Sequence, residues 1–222
     1  MSKPQIKSQI SLERSYGLVA LLDAHSETTI RSLWRGLELG AITNSLPSIV
    51  CAQPHITLGI FSSVNSQLLA RFPVLAADHL PFGVKFSSVG AFPNSNGSTV
   101  FLQPIITPKL LTLQQSLQSV LQDAGIALHE FYQTGNWQPH SSLGLGLSRD
   151  LAAKALEFSL GLDLPIMGQV QAVGLIEMIR QGAYIISGCE LGRWALGSGE
   201  HLAPPDCPNP KACLFRSLAK HT

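Results

Sequence analysis

The sequence predicts an α+β fold in which two copies of a β-α-β-α-β unit form two lobes about a pseudo-two-fold axis. Three observations predict it. The segment Gln-Pro-His-Ile-Thr-Leu-Gly-Ile at 53–60 recurs as Gln-Pro-His-Ser-Ser-Leu-Gly-Leu at 138–145, identical at five of eight positions, so that His55 is matched by His140. Strand-like apolar runs open near Tyr16, Thr99 and Tyr184, spaced by almost the same interval. Amphipathic helical patterns fall between these runs at matching places. Solenoids need three or more shorter repeats, so a duplicated unit is the better description.

The elements follow in order. The run from Tyr16 leads into a helix capped by Ser26, with Ile30, Leu33, Trp34 and Leu37 on one face. The first motif strand at 53–60 comes next, then a short helical stretch over 66–77 and an extended segment over 82–92. The run near Thr99 closes this copy and opens the second. Its helix carries Leu110, Leu113, Leu117, Val120 and Leu121 on one face and ends at Gly125. The second motif strand, a helical stretch over 150–160 and an extended segment over 168–177 complete the repeat. Residues 1–15 read as a polar arm and 16–196 as the two-lobed domain. Residues 197–222, with Pro204, Pro205, Pro208 and Pro210, read as a tail outside the repeat.

Composition narrows the ligand. Hydrophobic residues make up 45% of the chain and charged ones 13%, which favours a compact fold over disorder. A net charge of +1 gives none of the broad basic field that gripping long nucleic acid requires. A nucleotide, a short oligomer or a chain end fits better. No apolar run approaches the length of a membrane-crossing helix, and Met1 to Ser15 lacks an apolar signal core, so a cytoplasmic protein without a membrane span is expected. Cysteines at 51, 189, 207 and 213 form no dense framework, in keeping with a reducing compartment. His201, Cys207, Cys213 and His221 match no compact zinc-finger spacing. Neither a metal, another cofactor nor an obligate protein partner is expected.

The motif strands carry the chemistry. Side chains alternate along a strand, so His55, Thr57 and Gly59 should share one face, with Ile56, Leu58 and Ile60 on the other. In the second copy His140, Ser142 and Gly144 should oppose Leu143 and Leu145. Pro54 and Pro139 suit strand starts, where a missing N–H costs least. A two-fold axis would face the polar sides across a groove. Two imidazoles with ordinary pKa values near 6.5 can then divide acid and base roles at neutral pH, in either assignment. Thr57 and Ser142 would hydrogen-bond the non-bridging phosphoryl oxygens where charge gathers. Such a site requires no metal. Tyr132 and Trp137, before the second motif, and Phe61, at the end of the first, are candidates to contact a base. For Trp137 a loop anchor is an equal alternative, and for Phe61 a core position is preferred. His25, His79 and His129 have no partner in the repeat and read as ordinary surface or loop histidines.

At His55-Ile56-Thr57-Leu58 and His140-Ser141-Ser142-Leu143 the chain resembles the two-histidine phosphoesterase superfamily, in particular its 2′-5′ RNA ligase-like branch. The resemblance runs from about Tyr16 to Leu196 and includes the Gly-Asn-Trp-Gln-Pro approach at 135–139. It implies a bilobal fold with two antiparallel sheets lining a central cleft. It also implies hydrolysis of 2′,3′-cyclic phosphates to 2′-phosphates, or the making and breaking of 2′-5′ phosphodiester links. The ligand would be a nucleotide or short RNA with a cyclic phosphate. Two departures stand out. Ser141 occupies a usually hydrophobic position. Gly-Leu-Gly-Leu at 144–147 stands where many relatives carry a phosphate-holding basic residue, leaving Arg149 as the nearest cation in sequence. The alternatives are a nucleotide- or RNA-end-binding protein without turnover and, third, a metal-dependent hydrolase using the same histidines.

Overall fold

The structure is a computed structural model that describes residues 12–93 and 97–203. In the first copy β1 (Leu12–Leu22) leads to α1 (Ala24–Leu39), β2 (His55–Phe61), the short α2 (Ser66–Leu69) and α3 (Arg71–Ala77), and β3 (Phe82–Phe92). In the second copy β4 (Ser98–Pro104) leads to α4 (Pro108–Asp123), a 3₁₀ turn (Glu130–Tyr132), β5 (Ser141–Leu147), α5 (Arg149–Ser159) and β6 (Ile166–Gln181). Then follow β7 (Tyr184–Ala195) and β8 (His201–Leu202). The duplicated order read from the sequence is present, with local differences. Asp23, not Ser26, caps α1: its carboxylate accepts from the amides of His25 and Ser26, and Ser26 is buried one turn inside. Gly125 does follow the end of α4, at a φ of 65°.

The expected pair of sheets is one continuous antiparallel sheet of eight strands, in the order β2-β1-β6-β3-β4-β5 with β7 and β8 added beside β6. The lobes are joined where β3 pairs with the start of β6, Val84 opposite Gly168. The third strands are exchanged: β6 pairs with β1 of the first copy, and β3 with β4 of the second. The strand near Thr99 is therefore not a closing strand of the first copy. It lies between β3 and β5.

Helix packing is also crossed. The buried face of α1 (Ile30, Trp34, Leu37) reaches β5, while that of α4 (Leu110, Leu113, Leu117, Leu121) reaches β2. Trp34 Nε1 donates to the Ser142 carbonyl at 2.9 Å, and Gln114 Nε2 on α4 lies 3.4 Å from the Leu58 carbonyl. Each motif strand is thus held by the helix of the other copy. Both lobes share one apolar core, which includes Ile56, Leu58, Leu102 and Leu143. Strands β2 and β5, at opposite ends of the sheet order, come into contact with each other.

Strict alternation along the motif strands fails after the hydroxyl residue. Leu18 of β1 pairs with Gly59 and Val19 with Thr57, which leaves Leu58 as an extra, bulged residue. Strand β5 does the same: Val100 pairs with Gly144 and Phe101 with Ser142, so Leu143 is extra. Beyond the bulge the faces swap. Gly59 turns to the core, where a Cβ would come within 2.6 Å of Leu128 and 2.9 Å of Leu117. Ile60 and Leu145 turn to the cleft instead. The glycine after the motif makes room for a core helix rather than for a ligand. Ser141 takes the core position of Ile56 and is fully buried, and its hydroxyl has no hydrogen-bond partner among the described residues.

The cysteines depart from expectation too. Residue 50 forms an isolated bridge with Ser187 at the edge of β7, and beside it Cys51 and Cys189 pack together, both disulfide-bonded. The two lie far apart in the chain, and nothing in their spacing marks either as oxidised. Strand β1 begins at Leu12, within the stretch read as an arm, and β8 extends past residue 196. Of the four residues weighed as a zinc site, only His201 lies among the described residues, edge-on to Trp194. Cys207, Cys213, His221 and the four prolines of the tail lie outside them.

Candidate active site

Both motif histidines line one cleft with a cavity volume of about 530 Å³, together with Thr57 and Ser142. The strand geometry explains how each ring is held. His55 Nδ1 donates to the Gln53 carbonyl at 2.7 Å, and His140 Nδ1 donates to the Gln138 carbonyl at 2.8 Å. A carbonyl only accepts, so each bond puts the ring hydrogen on Nδ1 and frees Nε2 as the reactive nitrogen. The prolines between, Pro54 and Pro139, fix φ in the two-residue step that brings carbonyl and ring together.

The bulges leave the carbonyls of Thr57 and Ser142 facing side chains instead of a regular ladder, and an indole meets each. Trp137 Nε1 donates to the Thr57 carbonyl and Trp34 Nε1 to the Ser142 carbonyl, both at 2.9 Å. The two tryptophans are not equivalent in the repeat, so this symmetry was invisible at the level of motif matching. Trp137 is half-buried against the core and is not among the cleft-lining residues, which makes it the loop anchor and not a stacking surface. Phe61 takes the preferred core position and is not the base-contacting residue it was also a candidate to be. It lies in the core, 2% exposed and stacked on Tyr16, because the bulge turns Ile60, not Phe61, toward the cleft. Tyr132 does line the cleft. Burial pushes its phenol up to about 12, against the opposing pull of Arg180 and a hydrogen bond with Thr57, so it stays a neutral donor.

The two imidazoles have different surroundings. His140 stands edge-on to Phe92, with ring centroids 5.0 Å apart, and 5.1 Å from Phe101. Burial lowers its pKa, and the Gln138 hydrogen bond opposes that. Burial also lowers His55, opposed by the Gln53 hydrogen bond. The charge of His140 lowers it further, and Glu190 raises it. Glu190 belongs to a closed ring of side chains behind His55. Arg193 grips it through Nε and Nη2, each at 2.9 Å, while Gln53 donates its amide N–H to Glu190 and accepts from Arg193 Nη2 at 3.0 Å. Among the described residues the second lobe has nothing comparable, and Gln138 is exposed.

Sequence reasoning missed this ring, since Gln53, Glu190 and Arg193 are remote in the chain and only Gln53 lies in a motif. It also missed Arg180, which lines the cleft from β6, and the floor residues Ile176 and Met178. Arg149 is exposed at the start of α5 and does not line the cleft. Among the described residues no group of three or more His, Cys, Asp or Glu could hold a metal ion. No helix among them is long and apolar enough to cross a membrane.

A duplicated α+β fold whose exchanged lobes bring two His-x-Thr/Ser strands to one cleft defines the two-histidine phosphoesterase class. The chain belongs to the 2′-5′ RNA ligase superfamily, whose family model matches residues 23–182. Among solved structures it is similar to Escherichia coli LigT complexed with 3′-AMP, at 16% identity and a TM-score of 0.55, over 84% of this chain and 99% of that one. A crystal structure of a phosphoesterase aligns at 19% identity and a TM-score of 0.53, covering 83% and 98%. TT0787 of Thermus thermophilus aligns at 15% and 0.51, covering 84% and 100%. At these identities the likeness is one of fold. No curated protein matches the chain. Superfamily membership supports a phosphoesterase-type function.

Proposed function

We propose that this protein is a metal-independent phosphodiesterase that acts on 2′,3′-cyclic phosphates or 2′-5′ phosphodiester links of nucleotides and RNA ends. The observation that carries the reading is the pair of Nδ1-anchored imidazoles lining one cleft, each followed two residues on by a hydroxyl. In the hydrolytic direction one neutral imidazole takes a proton from water at Nε2, and the water oxygen bonds to phosphorus. The bond from phosphorus to the 3′ oxygen breaks, and the other ring, protonated, gives that oxygen its proton. The product is a 2′-phosphate. Thr57 and Ser142 donate to the non-bridging oxygens as their charge grows. Acid–base transfer of this kind contributes about 10²–10⁴ in rate. LigT, with the same fold, has been seen with 3′-AMP and with phosphate, which accords with a nucleotide ligand.

Incubation with 2′,3′-cyclic nucleotides and 2′-5′ dinucleotides, with and without EDTA, followed by phosphorus NMR, tests the reading. Conversion of at least one substrate is expected. If all remain intact yet bind, a binding protein without turnover replaces the enzyme; loss of turnover only on chelation would point to a metal hydrolase.

Burial of the two rings sets the direction of the pH dependence. Burial disfavours both imidazolium forms, so each ring loses its proton below the ordinary histidine value. Catalysis needs one ring charged and one neutral. The profile of kcat/KM is therefore expected to be bell-shaped with its maximum on the acid side of about pH 6.5. A maximum near pH 8 would contradict the assignment of both roles to these rings.

A further inference from the structure

We infer that Arg180 forms a second anion subsite, so that the preferred substrate carries a negatively charged group in addition to the phosphodiester that reacts. This rests on the phosphodiesterase reading and names the substrate class within it: a phosphorylated nucleotide or oligonucleotide end rather than a bare nucleoside cyclic phosphate.

Arg180 is half-buried and lines the same cleft as the histidines. Its neighbours on that face of β6 are Ile176 and Met178, both buried and apolar; its register partner on β7 is Ile185, and on β1 it is the exposed Glu13. The other arginines that reach buried carboxylates are matched: Arg14 contacts Glu177 and Arg193 contacts Glu190, at 3.0 and 2.9 Å. Among the described residues no carboxylate lies within ion-pair distance of Arg180, and no hydrogen bond of its guanidinium is formed. The Glu13 side chain across the sheet is exposed and forms no ion pair with it, so a half-buried cation in this apolar wall gains when an anion arrives to meet it. Arginine suits that task, since its fork of N–H groups matches phosphate geometry.

Register puts Arg180 away from the reacting phosphorus. Thr57 is level with Gly174 through Val19, and Arg180 lies six residues further along β6, roughly 20 Å of extended strand before allowing for the arginine's own reach. The Tyr132 phenol, hydrogen-bonded to Thr57, feels the charge of Arg180, so the guanidinium faces back along the cleft toward the motif strand. Ile60, Ile176 and Met178 give the stretch between an apolar floor for a base or sugar.

The test uses two substrates that differ by one phosphate, adenosine 2′,3′-cyclic phosphate with and without a 5′-phosphate. Wild-type kcat/KM is expected to favour the phosphorylated one by about tenfold or more, the scale of one charge-assisted contact. Arg180→Gln should bring the ratio close to one, and Arg180→Lys should restore part of it. A wild-type ratio near one, or a preference that survives Arg180→Gln, overturns the subsite. Calorimetric binding of adenosine 3′,5′-bisphosphate against 3′-AMP asks the same question without turnover, with the same ratio expected in Kd and the same loss in Arg180→Gln. An inactive protein that still shows that arginine-dependent ratio would sink the enzymatic reading and leave the subsite standing.

Discussion

Replacing His55 or His140 by alanine is expected to lower kcat on a cyclic nucleotide by about 10²–10⁴-fold while the protein stays folded. Both rings are half-buried on the cleft side of their strands, and neither belongs to the apolar core that Ile56, Leu58 and Leu143 build on the other face. Removing a ring takes away one proton donor or acceptor and little packing. Circular dichroism and a melting curve should move little, and single-turnover kinetics should carry the loss. The double substitution should cost far less than the product of the two single losses, because groups acting as a unit fail together. A His140→Ala variant that keeps more than a tenth of wild-type kcat would remove that ring from proton transfer. Each single variant should also lose the limb of the pH profile that its ring produced, which a general disturbance of folding would not do.

How much of this was legible in the sequence depends on range. The repeat, the helices and the motif strands were readable because they rest on local patterns: apolar spacing, turn residues and a short stretch of matched sequence. The sequence points to Ser26 where Asp23 is the cap, because both are good capping residues three positions apart and only the backbone decides between them. The bulges at Leu58 and Leu143 could not be read, since a strand of unbroken alternation looks the same until its partner's register is known. That one residue of slip moved Gly59 to the core, Ile60 to the cleft and Phe61 out of reach of a ligand. The exchange of β3 and β6 between lobes was hidden for the same reason. Pairings formed across the whole chain leave no local mark. Arg180, Glu190 and Arg193 sit on the two strands beyond the motifs, where a charged residue in an apolar run gives no hint of what it faces.

Glu190→Ala is expected to be the most damaging change outside the motif histidines. Glu190 is 9% exposed and Gln53 6%, and the carboxylate is the hub that both Arg193 and Gln53 engage. Deleting it leaves a largely buried guanidinium with one amide oxygen for company, a situation that costs about 3–5 kcal/mol when a buried pair is broken. Arg193 retains some contact with solvent, which points to the lower end, about 3 kcal/mol, read as a fall in the urea midpoint at constant slope. The same change removes one of the two side-chain bonds of Gln53, and Gln53 is the residue whose carbonyl holds His55 Nδ1. A misaligned ring should lower kcat by about tenfold even in the fraction that remains folded, since small displacements of a reacting group are costly. Glu190→Gln keeps the shape and one acceptor for Arg193 but turns an N–H toward a donor, so its stability should lie between the two. The histidine nitrogen signals in NMR separate the effects: the Nδ1–H form of His55 should lose its dominance in Glu190→Ala, while His140, which has no such ring behind it among the described residues, keeps its own. If Glu190→Ala is as stable as the wild type and the His55 signal is unchanged, the ring does not hold the histidine, and the asymmetry between the two lobes has no bearing on the chemistry.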